Sequence, residues 1–295
     1  MKTKTAWLMA LSCALPFAHA GACAATPDTV KFASADGATE LTGYLYRPSG
    51  AGPHPAIVML HGRGGPYSSL RRGTYTAETL TLRHRMWGEY WASRGYVALL
   101  VDSFGPRGYP DGFPKHSYSD RPAAVSEQTV RPLDGYGAAA YLRTRSDVVP
   151  DRIGLHGWSN GGMTLLSAMG SEGSGTRTPA RGFRAGLAQY PSCRTQLKQA
   201  GYKPYAPLLI LAASEDDEVS PGICRQFSEL MRARGEPVEF VVYPGAHHSY
   251  DDPGRTKQSH EPNRAAMNDS LRRAEVFFAR HLKPNDGATT RDESR

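Results

Sequence analysis

Residues 152–161 read Arg152-Ile153-Gly154-Leu155-His156-Gly157-Trp158-Ser159-Asn160-Gly161. Arg152 to Leu155 has the character of a short strand, and Asn160 to Met169 reads as the helix that follows it. Between them lies a G-x-S-x-G pattern over 157–161. In a strand–turn–helix setting this pattern forces a sharp turn that strains the serine backbone and exposes its hydroxyl. The flanking glycines leave room for close backbone packing, and the helix N-terminus adds positive potential and free N–H groups. Ser159 is therefore the candidate nucleophile. Outside that setting, the same five residues would be a glycine-rich turn with a spectator serine.

Outward from this turn, short apolar runs alternate with helix-like segments. Residues 40–47 alternate polar and apolar, as an early antiparallel strand does. Residues 55–60 (PAIVML) are continuously apolar, as a strand covered on both faces should be. Further strands are expected at 96–101, 185–190, 207–212 and 238–243, and helices at 87–94, 133–143, 221–234 and 270–282. Pro221 and Gly235 punctuate the helix between them. The expected fold is a mainly parallel α/β sheet with helices on both faces. No repeat or linker divides residues 21–283, which read as one domain. Residues 103–129 lack a clear period and form a long loop of the kind that often carries function.

A serine hydroxyl needs a base, and the base needs an acid to orient it. In this chain order the acid comes second and the histidine last. After the strand at 207–212 stand Glu215-Asp216-Asp217-Glu218. Asp216, three residues before Val219, is the favoured acid, with Asp217 next; the remaining acids read as a solvated turn. After the strand at 238–243 comes Pro244-Gly245-Ala246-His247-His248-Ser249-Tyr250. His248 is the favoured base, and His247 a flanking or solvent-facing residue. The loop His61-Gly62-Arg63-Gly64-Gly65 directly follows the apolar strand 55–60. One oxyanion donor is expected from the N–H of Arg63 and the other from the N–H of Asn160.

The first twenty residues have the form of an export signal. Lys2 and Lys4 precede an apolar stretch from Ala6 to Phe17, then Ala18-His19-Ala20, a small-x-small cleavage pattern. The apolar stretch is too short to span a bilayer. The expected mature chain starts at Gly21 in an oxidising compartment, periplasmic or extracellular. Cys193 and Cys224 each follow a strand-like segment, and a disulfide between them is expected; Cys23 would stay free. From Pro284 onward the chain is a polar tail.

The net charge of +7 shows no basic stripe, so nucleic acid is not an expected partner. Thirty-one glycines and 22 prolines among 295 residues make the chain turn-rich without low complexity. There is no CxxC pair, no HExxH frame, no G-x-G-x-x-G after a strand and no P-loop, so neither a metal nor a cofactor is expected.

Taken together, HGRGG (61–65), DSFGPRG (102–108), HGWSNGG (156–162), SEDDEV (214–219) and YPGAHHSY (243–250) resemble the dienelactone hydrolase family of α/β-hydrolases, in that family's order. The resemblance implies a central sheet of about eight strands, and hydrolysis of an ester or lactone through an acyl-enzyme. The family's founding enzymes are cytoplasmic and use a cysteine where this chain has Ser159. Exported members with a serine resemble general carboxylesterases.

A small-molecule ester or lactone is the expected substrate. Tyr67, Phe104, Tyr109, Phe113 and Trp158, from loops above the sheet, are candidates for the pocket wall. Arg63 and Arg107 would favour an acidic group on the substrate, unless Arg107 belongs to a buried ion pair. Two other functions compete. A serine peptidase of the prolyl-oligopeptidase type shares the chain order, but expects a propeller-sized domain before residue 40. A non-catalytic binding module on a hydrolase fold would not need Ser, acid and His together.

Overall fold

The computed structural model describes residues 26–171 and 182–284. The expected signal, Cys23 and all but the first residue of the polar tail lie outside the described residues. The strands are β1 (Asp28–Ala33), β2 (Glu40–Tyr46), β3 (His54–Leu60), β4 (Val97–Asp102), β5 (Val148–Trp158), β6 (Ala185–Gln189), β7 (Leu208–Ala213) and β8 (Val238–Tyr243). They form one eight-stranded sheet in the order β1-β2-β4-β3-β5-β6-β7-β8. The pairs β1–β2 and β2–β4 are antiparallel, and every other pair is parallel.

The central strands β3, β4 and β7 are almost wholly apolar because both faces are covered, whereas β5 includes exposed Asp151 and the edge strand β8 exposed Glu239. Along β3, Ala56, Val58 and Leu60 point to one face and Ile57 and Met59 to the other, all fully buried. Burying one such aliphatic side chain is worth about 1.5–3 kcal/mol, which meets or exceeds the ~1–2 kcal/mol of backbone ordering per residue. The first face packs against α2 (Arg131–Arg143), α3 (Asn160–Ala168) and α5 (Pro221–Ala233). The second packs against α1 (Leu82–Ser93) and α7 (Glu261–Leu282), with Trp87, Trp91 and Phe278 at its centre. Two short helices, α4 (Arg194–Lys198) and α6 (Arg255–Gln258), join these elements. This is the α/β-hydrolase fold.

Some boundaries differ from those expected. Strand β1 follows no apolar run, because on this edge strand only Phe32 is buried. Helix α1 starts at Leu82 rather than 87, where the Thr81 side chain accepts from the N–H of His84 at 3.3 Å. Helix α7 starts at Glu261 rather than 270. The 103–129 loop contains three short turns of 3-10 helix.

Candidate active site

Ser159 sits between β5 and α3 with φ 52° and ψ −114°. A non-glycine residue with positive φ of this kind costs about 1–3 kcal/mol, which its surroundings must offset. The Ser159 N–H donates to the Gln189 carbonyl at 2.9 Å, and the Ser159 carbonyl accepts from Met163 N–H at 2.9 Å. The flanking glycines are obligatory on steric grounds. A Cβ on Gly157 would overlap the carbonyl oxygen of Gly161, and one on Gly161 would overlap that of Leu60.

The Ser159 hydroxyl lies 3.0 Å from His248 Nε2, and His248 Nδ1 lies 2.7 Å from Asp216 Oδ2. The other Asp216 oxygen accepts from the N–H groups of Glu218 and Val219, both at 2.9 Å. With the carboxylate so fixed, Nδ1 carries the proton and Nε2 faces the hydroxyl as an acceptor. Ser159 and His248 are each 4% exposed. Lys257 Nζ donates to the His248 carbonyl at 2.8 Å and steadies the loop. His247 turns away: its N–H donates to Asn263 Oδ1 at 2.9 Å and its ring lies 4.7 Å from that of His260. Asp217 is exposed and pairs with Lys115.

The loop after β3 comes up beside Ser159. His61 is fully buried, and burial holds its imidazole well below the ordinary histidine range. Its Nε2 accepts from Ser103 N–H at 3.2 Å, so Nδ1 bears the proton and donates to the Gly62 carbonyl at 2.7 Å. That carbonyl belongs to the same peptide unit as the Arg63 N–H. Asn160 opens α3, where its N–H has no intrahelical acceptor.

A cavity of about 730 Å³ opens over Ser159 and His248. Tyr67 and Phe113 line it, as expected, and so do Arg63, Arg83 and Glu218. Phe104, Arg107, Tyr109 and Trp158 do not line it, which corrects the wider pocket. Phe104 is fully buried between His61, at 4.5 Å, and the Arg131 guanidinium, at 4.8 Å. Tyr109 packs on Phe113 at 5.3 Å. The Trp158 indole N–H donates to buried Asp251 at 2.8 Å. Arg107 is a structural ion pair, bound to Asp134 at 2.8–2.9 Å and to Asp36 at 2.9 Å.

Glu218 was not expected at the site. Its carboxylate receives two hydrogen bonds from Arg63, at 2.8 and 2.9 Å, and its Oε2 lies 3.9 Å from His248 Nε2. Burial alone would raise its carboxyl, but Arg63 and His248 outweigh that and hold it below the ordinary glutamate range. Four acids in a row gave no sign of which would turn inward. Cys193 and Cys224 form a disulfide that joins the segment after β6 to the first turns of α5. Among the described residues, no His, Cys, Asp and Glu side chains group as a metal site, and no helix is long and apolar enough to cross a membrane.

A strained serine at a strand–helix turn, with an aspartate from the loop after β7 and a histidine from the loop after β8, defines a hydrolase on the α/β-hydrolase fold. The profile of the Dienelactone hydrolase family matches residues 41–282, and the chain belongs to that family of carboxylic ester hydrolases. Among curated relatives, it is 26% identical over 248 residues to a Bradyrhizobium sp protein named "Probable 2-oxo-3-(5-oxofuran-2-ylidene)propanoate lactonase", covering 81% of this chain and 89% of that one. It is 25% identical over 276 residues to human dipeptidyl peptidase 8, covering 84% of this chain but 28% of that longer protein. Thermogutta terrifontis esterase 2 phosphorylated by paraoxon superposes with a TM-score of 0.60 at 22% identity, covering 89% and 97% of the two chains. A Klebsiella pneumoniae structure named for the same family gives 0.65 at 19%, covering 85% and 99%.

Proposed function

We propose that the protein is an exported serine esterase or lactonase that works through Ser159, His248 and Asp216. The observation that carries this reading is the unbroken chain of contacts, Ser159 Oγ to His248 Nε2 at 3.0 Å and His248 Nδ1 to Asp216 at 2.7 Å. Nε2 takes the hydroxyl proton as Ser159 attacks the ester carbonyl. The resulting oxyanion lies between the N–H groups of Arg63 and Asn160. His248 returns the proton to the leaving alkoxide, and the acyl group stays on Ser159. Water, deprotonated by His248, repeats the attack and releases the acid. The lactonase among the relatives supports a cyclic ester as one substrate form. Export is supported by the form of residues 1–20 and by the oxidised cysteine pair.

The test is labelling with a fluorophosphonate probe and turnover of para-nitrophenyl esters. The wild type should label and turn over. Ser159→Ala should do neither, keep its melting temperature, and retain at most the ~10³–10⁴ over water that binding and oxyanion donors supply alone. Labelling that persists in Ser159→Ala would overturn the assignment. The likeness to dipeptidyl peptidase 8 makes peptide hydrolysis the second reading. Faster cleavage of a dipeptide para-nitroanilide than of any ester would favour it.

A further inference from the structure

We propose that Asp251, a buried carboxylate beneath the cavity, is a positioning residue that holds Ser159 and His248 in reacting register. The inference rests on the esterase reading above and names a further residue for the same reaction. Asp251 lies three residues after His248 and is fully buried. Four side chains from three other segments converge on it. Its Oδ2 accepts from the indole N–H groups of Trp87 and Trp158, both at 2.8 Å. Its Oδ1 accepts from the Tyr190 hydroxyl at 2.5 Å and lies 3.5 Å from Nε of Arg83, on the cavity wall. Stability alone does not explain this arrangement, because taking a carboxylate out of water costs more than filling the same space with apolar side chains.

What these partners share is their position. Trp158 immediately precedes Ser159. Tyr190 follows β6, and its ring lies 4.7 Å from the His248 ring, a wall on which the imidazole rests. Among the described residues four that are not glycine have positive φ, and three of them flank this carboxylate: Ser159 at 52°, Tyr190 at 39° and Ser249 at 60°. Such a conformation is unfavourable on its own and persists only where the surroundings over-determine it. Asp251 supplies restraint to all three. It binds the side chain before Ser159, it binds Tyr190 itself, and it shares the short main-chain segment of Ser249. The nucleophile's turn and the histidine's loop are thereby tied to one point, which sets the 3.0 Å approach of Ser159 Oγ to His248 Nε2. Asp251 does not line the cavity, so it acts on the reaction only through these neighbours.

The experiment compares Asp251→Asn, Tyr190→Phe and Trp87→Phe with the wild type. It reads kcat and KM for para-nitrophenyl butyrate, the rate of fluorophosphonate labelling, and the melting temperature. Tyr190→Phe keeps a ring against His248 but frees it from Asp251. It should lower kcat and the labelling rate by about tenfold with KM nearly unchanged, since a small displacement of reacting groups slows chemistry more than binding. Asp251→Asn replaces one acceptor oxygen with a donor and should lower both rates by about a hundredfold. Trp87→Phe removes a donor from the same carboxylate but leaves its bonds to Trp158 and Tyr190 in place. It should therefore lower the melting temperature while kcat stays near the wild-type value. A kcat that falls as far in Trp87→Phe as in Tyr190→Phe would leave Asp251 a purely structural role. Wild-type kcat and labelling in Tyr190→Phe would do the same, and either result overturns the proposal while the esterase reading stands. Tyr190→Phe decides the matter if Asp251→Asn does not fold. A wild type that neither labels nor turns over the ester would sink both.

Discussion

Arg131 reaches from the first residue of α2 to the side-chain oxygen of Asn160, the residue directly after Ser159. Its other terminal nitrogen donates to the His61 carbonyl at 2.8 Å. One buried guanidinium thus braces the two segments that carry the proposed oxyanion donors, the His61–Arg63 loop and the start of α3. No acid lies within ion-pair distance of it among the described residues, and burial brings its pKa down to about 10. Stability alone gives no reason to bury an arginine in this way, because removing a charge from water costs several kcal/mol.

Arg131→Met is therefore expected to lower kcat by about tenfold to a hundredfold, part of the ~10²–10³ lost when one oxyanion donor is removed. Arg131→Lys should recover little, because one ammonium cannot reproduce a planar fork across two acceptors. The measurement is kcat and KM on protein with an unchanged circular dichroism spectrum. A folded Arg131→Met enzyme with wild-type kcat would contradict the bracing role.

The acid turn gives a second prediction through the different surroundings of neighbouring residues. Asp216 touches His248 and caps its own turn, whereas Asp217 points to Lys115 at the surface. Asp216→Asn should cut kcat by about 10³–10⁴, as loss of the orienting carboxylate does in such triads. Asp217→Asn removes only an exposed pair and should change kcat less than about threefold. His248→Ala and His247→Ala should divide the same way. Wild-type turnover in Asp216→Asn would return the acid assignment to Asp217.

The sheet and the proposed triad were legible in the sequence because both write themselves locally. Continuous apolar runs mark strands covered on two faces, and G-x-S-x-G between strand and helix marks the turn. Chain order then limits the acid and the histidine to two short loops. What stayed hidden depends on contacts far apart in the chain. Arg131 looks like any charged residue at a helix start; only the fold shows it buried under His61 and Phe104. Glu218 is indistinguishable from its acidic neighbours until Arg63, 155 residues earlier, turns it inward. Trp158 and Phe104 sit within the motifs, yet their rings serve the layer beneath the cavity. Strand β1 is polar because it lies on the sheet edge.

Three buried histidines set an acid limit on stability. Burial holds His61, His84 and His156 below the ordinary histidine range, His84 down to about 3, with the Arg83 charge adding to the effect there. All three stay neutral in the fold and bind protons only once it opens. The stability from keeping them neutral is fully present above about pH 6.5 and is lost as pH falls from there toward about 3. Each contributes a slope of up to about 1.4 kcal/mol per pH unit. Melting temperature should therefore begin to fall near pH 6, above the range where exposed carboxylates protonate. A flat melting temperature from pH 7 to 5 would show that these rings become protonated in place.

The Cys193–Cys224 bridge encloses the acid turn within its loop. The two cysteines are 31 residues apart with Cα atoms 5.0 Å apart, and both are fully buried. Between them in sequence lie β7 and residues 214–220, which present Asp216 and Glu218. Closing a loop of this length should stabilise the fold by about 3–4 kcal/mol through the unfolded chain's lost freedom. Because Cys224 lies in the first turns of α5, the bridge also fixes where the acid turn must end. The Cys193→Ser/Cys224→Ser double variant should unfold at correspondingly lower denaturant. It should also lose kcat in excess of any change in KM, since Asp216 would hold His248 less firmly. Thiol titration of the unfolded, non-reduced protein checks the pairing directly: neither Cys193 nor Cys224 should react. Reaction of both, in protein taken from an oxidising compartment, would rule the bridge out.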